Sequence, residues 1–147
     1  VGHPTCYATG GFRQKLLGHY IAIFQLRGFA EWFYSAWDFR MWRRLTRDDG
    51  EMPHWRTAFR VPGRLTAGMN YYRANLALIL PGNRGYVNVP VMGIYSTRDI
   101  ALVENQMQRS GQFCKAGWRY ERLDGVGHWM TAEAPEKVNP LLLDFLH

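Results

Sequence analysis

Residues 126–129 read Val-Gly-His-Trp, a small-residue turn that presents His128. Upstream, the run Pro90-Val91-Met92-Gly93-Ile94-Tyr95-Ser96-Thr97-Arg98-Asp99 reads as a buried strand that ends in an acidic residue. An acid at a strand end and an imidazole on a later loop are the last two members of a hydrolytic triad in the order nucleophile, acid, His. In that chemistry the imidazole takes a proton, while the carboxylate fixes its tautomer and stabilises its cation. The separation of 29 residues suits one helix and one strand between them. The nucleophile, on a sharp strand-to-helix elbow, should precede both, and no such elbow is found. Asp38, Asp48 and Asp49 fall in or after a helix, Asp124 precedes the His turn, and Asp144 lies on the final helix.

The elements that must position these residues fall into two patterns. Residues 1–12, with Gly2, Pro4, Gly10 and Gly11, read as a loop. Helical spacing runs from Arg13 to Gln25, through Leu16, Leu17, Tyr20, Ile21, Ile23 and Phe24. A second helix is predicted over 29–46, with Phe29, Trp32, Phe33, Trp37, Met41 and Leu45 on one face, stopped by Asp48-Asp49-Gly50. Residues 50–63 read as a loop with room for a short helical turn. A third helix spans 65–80, starting near Thr66, with Met69, Tyr72, Leu76 and Leu80 as its stripe; residues 81–87 connect onward. The pattern then becomes strand 89–95, helix 100–110, strand 118–123, loop 124–131 and helix 135–147, the last with Val138, Leu141, Leu142 and Phe145 inward. Two strands do not make a stable parallel sheet, so this half calls for strands from elsewhere.

The 147 residues are 47% apolar and 20% charged, which excludes a disordered chain and suits one globular domain. Aromatic residues reach 15%, as packed cores or an aromatic-lined cavity require. Cys6 and Cys114 are read as free thiols in a reducing compartment, and no metal-ligand spacing or cofactor motif appears. No apolar run reaches the roughly 18 residues of a membrane span, and no secretory signal opens the chain, so a cytoplasmic location is expected. The chain begins Val-Gly-His-Pro, as if cut from a longer polypeptide. The net charge of +6 is concentrated in Arg40, Arg43, Arg44, Arg47, Arg56, Arg60 and Arg64. With no recognition motif beside it, this stretch is read as a solvated helix face and basic loop, and nucleic-acid binding is disfavoured.

Two motifs carry a family resemblance: Phe24-Gln25-x-x-Gly28-x-Ala30-Glu31 and Asn70-Tyr71-Tyr72-Arg73. With Asp99 and His128 they make nearly the whole chain resemble the C-terminal half of an α/β-hydrolase of the epoxide hydrolase type. The resemblance implies a partial α/β-hydrolase fold. Residues 1–12 would be the connection from the core, 13–88 a helical lid, and 89–147 the last strand-helix-strand-helix of the parallel sheet. It implies Asp99 as acid, His128 as base, and Tyr20 and Tyr72 as the lid hydroxyls that hold an epoxide oxygen. His19, Phe24 and Trp129 would line the substrate site. An aspartyl ester, hydrolysed by His-activated water, would open a small apolar epoxide to a diol without a cofactor. The nucleophile would lie outside this chain, in a missing N-terminal half of the core, leaving the isolated chain inactive. A homo-oligomer stays open. The alternatives are a haloalkane or haloacetate dehalogenase of the same fold, which Tyr20 in place of Trp argues against, and an inactive truncated product.

Overall fold

The computed structural model describes residues 2–46, 51–80, 82 and 84–147. Arg47, the expected helix stop at 48–50 and the start of the expected connection at Pro81 lie outside the described residues. In chain order the helices of the first half are α1 (Pro4–Ala8), α2 (Gly11–Leu17), α3 (His19–Phe24), α4 (Phe29–Thr46), α5 (Met52–Arg60) and α6 (Arg64–Ala74). A 3-10 turn, Leu76–Ile79, follows. The second half holds β1 (Val91–Arg98), α7 (Glu104–Arg109), β2 (Trp118–Gly127), α8 (Met130–Glu133) and α9 (Pro135–Leu146). The chain divides into two units: one runs up to Gly18 and from Leu78 onward, the other is His19–Ala77. The helical unit therefore starts later and ends earlier than the span 13–88. No helix among the described residues is long and apolar enough to cross a membrane.

The sheet unit contains helix where a loop was expected. Pro4 occupies the first turn of α1, where its missing N–H costs nothing, and His3 Nδ1 accepts the Thr5 N–H at 3.3 Å. Burial lowers the pKa of His3, which favours that neutral acceptor. The predicted helix 13–25 is two helices, divided at Gly18. β1 and β2 pair in parallel from Val91↔Trp118 to Ser96↔Leu123, and then Arg98↔Gly127. Leu123, Val126, Ala134 and Val138 form the buried core here, with Ile94, Met130 and Leu141 packed against it. Pro135 sits in the first turn of α9 as expected, but Leu142, expected inward, is exposed.

The core of the helical unit is Phe24, Ala30, Tyr34, Phe39, Met52, Leu65 and Met69. The face predicted for α4 is buried only in part: Phe33, Met41 and Leu45 pack against the core, while Phe29, Trp32 and Trp37 are exposed and Tyr34 and Phe39 are buried. The cause is a left-handed turn at Trp37, Asp38 and Phe39, with φ of 50°, 55° and 60°, which breaks the 3.6-residue period. Asp38 anchors that turn by accepting from Arg56 at 2.5 Å and Arg60 at 2.7 Å. α5 replaces the expected loop: Pro53 falls in its first turn, and Trp55 and Phe59 pack on the core. α6 ends earlier than predicted, and Leu76 and Leu80 are exposed instead of continuing the Met69–Tyr72 stripe.

Candidate active site

Two strand ends bring the acid and the imidazole together. From Ser96 to Arg98 β1 advances two residues, while β2 advances four, from Leu123 to Gly127. The two extra residues form a bulge, which re-aims the strand that carries it. Gly127 thus comes level with Arg98, and the next residues, Asp99 and His128, leave their strands side by side. Gly125 takes φ 76° within the bulge, a conformation that suits glycine, and its N–H donates to Thr97 Oγ1 at 2.9 Å.

His128 Nδ1 lies 2.9 Å from both oxygens of Asp99. The Asp99 side chain is 2% exposed and that of His128 26%. Oδ1 of Asp99 also accepts the N–H of Ala101 at 2.7 Å and of Leu102 at 2.8 Å. The carboxylate is thereby fixed by backbone on one side and faces the imidazole on the other. With Nδ1–H donating to Asp99, Nε2 is the acceptor, the state required to take a proton from water. A cation formed on the ring would meet a buried carboxylate. Burial, with the charges of Asp99 and Glu104 adding to it, pushes the Tyr95 phenol up.

The sequence reading missed the groups that hold this pair. Ser96, wholly buried, donates its hydroxyl to the Gly127 carbonyl at 2.6 Å. Glu133 accepts from Gly127 N–H at 2.8 Å and Trp129 N–H at 3.2 Å. Gln14, 1% exposed, donates to Ala101 O at 2.8 Å and accepts from Val103 N–H at 3.1 Å, bracing the Asp99 loop. The available signal was a polar residue on the apolar pattern of 13–25, and it does not say which loop that residue meets. Trp129 stands edge-on to His128, with ring centroids 4.9 Å apart.

In the helical unit, the rings of Tyr20 and Tyr72 meet edge-to-face at 5.7 Å. Phe24 lies 5.4 Å from Tyr20 and 5.1 Å from Tyr72. At 1% exposure Phe24 is a core residue that backs the two tyrosines. His19 is exposed and edge-on to Tyr20. The two sequence motifs are joined by one guanidinium: Arg73 donates to Phe24 O at 2.6 Å, to Glu31 at 2.7 Å and to Asn70 at 2.9 Å. Glu31 accepts the Gly28 N–H as well, at 2.7 Å. The Arg73 hydrogen bond, against opposing desolvation, holds the Glu31 carboxyl down at about 2. Among the described residues no group of three His, Cys, Asp or Glu side chains could hold a metal ion.

No family model matches the chain. It is 32% identical over 84 residues to Epoxide hydrolase 3 of Xenopus tropicalis, covering 57% of this chain and 23% of that protein. Over 162 aligned positions it is 26% identical to Epoxide hydrolase 4 of Homo sapiens, covering 98% of this chain and 44% of that protein. The crystal structure of Bacillus megaterium epoxide hydrolase in complex with an inhibitor matches 99% of this chain and 57% of its own, with a TM-score of 0.79 and 18% identity. The fold is a partial α/β-hydrolase fold of the epoxide hydrolase type. The chain spans less than half the length of the curated relatives named above. Among the described residues β1 and β2 form a parallel sheet of two strands.

Proposed function

We propose that this chain supplies the acid, the base and the paired tyrosines of an epoxide-opening hydrolase, with the nucleophilic Asp on polypeptide outside the sequence. The carrying observation is His128 Nδ1 at 2.9 Å from both oxygens of a buried Asp99, with Nε2 left to accept a proton. In this reading His19–Ala77 is the lid, and Tyr20 and Tyr72 present two phenols to one oxygen. The nucleophilic carboxylate attacks a ring carbon, the ring C–O bond breaks, and the oxygen takes a proton from a tyrosine hydroxyl. An alkyl ester results. Nε2 of His128 then takes a proton from water, and the hydroxide attacks the ester carbonyl. Collapse of the tetrahedral intermediate expels the alkoxide, which takes the proton of the carboxylic acid formed with it, so the diol leaves and the carboxylate is regenerated; the imidazolium's proton returns through water to the tyrosinate. The substrate class is a small apolar epoxide, and no cofactor takes part. Two phenols side by side favour an oxygen acceptor over a halide.

The test is intact mass of the natural gene product with a simple aryl epoxide. The unsubstituted protein should show an adduct that decays. His128→Gln should accumulate it, because ester formation survives and hydrolysis is lost; normal turnover in that variant would remove His128 as the base. Tyr72→Phe should slow adduct formation.

A further inference from the structure

We propose that Glu133 is a positioning residue for His128, a role that rests on the base reading above. A single carboxylate spans the base: Oε2 takes the N–H before His128, from Gly127 at 2.8 Å, and Oε1 the N–H after it, from Trp129 at 3.2 Å. The Trp129 bond holds the peptide plane that follows His128, and the Gly127 bond holds the Val126–Gly127 peptide one step before the plane that enters it, so together they restrict the direction of the His128 Cα–Cβ bond. The carbonyl of Gly127 is meanwhile held by buried Ser96 at 2.6 Å.

Gly127 and Glu133 are matched to each other. A Cβ at position 127 would stand 2.5 and 2.6 Å from the two carboxylate oxygens. A side chain at residue 127 would therefore push the carboxylate, the free end of Glu133, out of its present place. The reach of Glu133 is set in turn by α8, whose turn is closed by Ala132 N–H and Glu133 N–H on Trp129 O at 2.8 and 2.9 Å, and by Ala134, which is buried in the core. Among the described residues Glu133 makes no ion pair; its carboxylate, on an exposed residue, accepts from these two backbone amides. Two N–H donors require two acceptors. A glutamine would turn an NH2 toward one of them, and so would lose one of the two bonds.

The readout is the Nδ1 proton of His128 in the full chain, followed by long-range proton–nitrogen correlation spectra below the thermal transition. The unsubstituted chain should show an Nδ1–H tautomer with a downfield proton bonded to Asp99, absent in Asp99→Asn. Glu133→Gln should raise solvent exchange of that proton by about tenfold, the equivalent of one lost hydrogen bond, and populate the Nε2–H tautomer. Glu133→Ala should do more, and Gly127→Ala should act from the other side. Val138→Ala, a core truncation on α9, should lower Tm and leave the proton in place, which separates positioning from general loosening. If Glu133→Ala does not fold, Glu133→Gln, which keeps one acceptor, decides. An unchanged proton in Glu133→Gln overturns the role of Glu133 and leaves the Asp99–His128 pair standing. A missing proton in the unsubstituted chain overturns both.

Discussion

Asp99 and His128 announce themselves by type and by position at the ends of two predicted strands. Ser96, Gln14 and Glu133 do not, because a Ser on a strand, a Gln on a helix and a Glu on a surface turn are ordinary anywhere. What makes them part of the site is the backbone groups they meet and, for Ser96 and Gln14, burial. Ser96 is the clearest case: its hydroxyl is wholly buried and bonded to the Gly127 carbonyl. Ser96→Ala would leave that carbonyl without its partner, costing about 1–3 kcal/mol. Thermal unfolding of Ser96→Ala should show that loss, and Ser96→Thr should restore part of it. A Tm equal to the parent's would mean the His turn does not depend on Ser96.

Among the elements, the bulge in β2 and the clamp in the helical unit have most effect. A regular ladder would set Arg98 opposite Gly125; the bulge sets it opposite Gly127, which brings His128 level with Asp99. The helical unit depends on Arg73, whose side chain is 6% exposed and which joins α3, α4 and α6 through Phe24 O, Glu31 and Asn70. Glu31 is ionised in that clamp, with its pKa lowered from 4.5 to about 2. The folded value lies below the unfolded one, so the folded state binds fewer protons. The stabilisation is therefore complete above pH 4.5 and disappears as pH falls toward 2. Stability measured by denaturant across that window should fall with pH, and Glu31→Gln should flatten the fall while lowering stability at neutral pH. An identical slope in Glu31→Gln would exclude the clamp as its source. Both motifs were legible in the sequence; the contact joining them, between residues 42 and 49 positions apart, was not.

For the whole molecule, β1 has one hydrogen-bonded neighbour among the described residues. Its apolar residues Val91, Met92 and Ile94 are only half-buried, and with Met107 and Trp118 they line a cavity of about 340 Å³. An apolar strand with an open edge is a template for another strand. Following the proposed function, an N-terminal hydrolase core supplied in trans should protect β1 amides from hydrogen exchange by at least about tenfold, as one added hydrogen bond each would, and raise Tm. Exchange at β1 that ignores the added half would sink the idea that the open edge is where that half belongs.

By itself the sequence pointed to Asp99 and His128 as the proposed acid and base and to the two tyrosine motifs, and it determined the helical first half and the parallel β-α-β end. These follow from local signals: residue type, apolar period and the glycines and prolines that interrupt it. Periodicity misread α4, because three residues in the left-handed region turn its faces and no composition rule foresees them. It also missed α5, where Pro53 begins a helix instead of breaking one. The tertiary structure decided which polar side chains hold the site, since Gln14, Ser96 and Glu133 act through backbone groups that only folding brings within 3.2 Å of them. Chemistry is carried by residue types, which a sequence states. Geometry is carried by long-range contacts and the bulge between two strands, which exist only once the chain has packed.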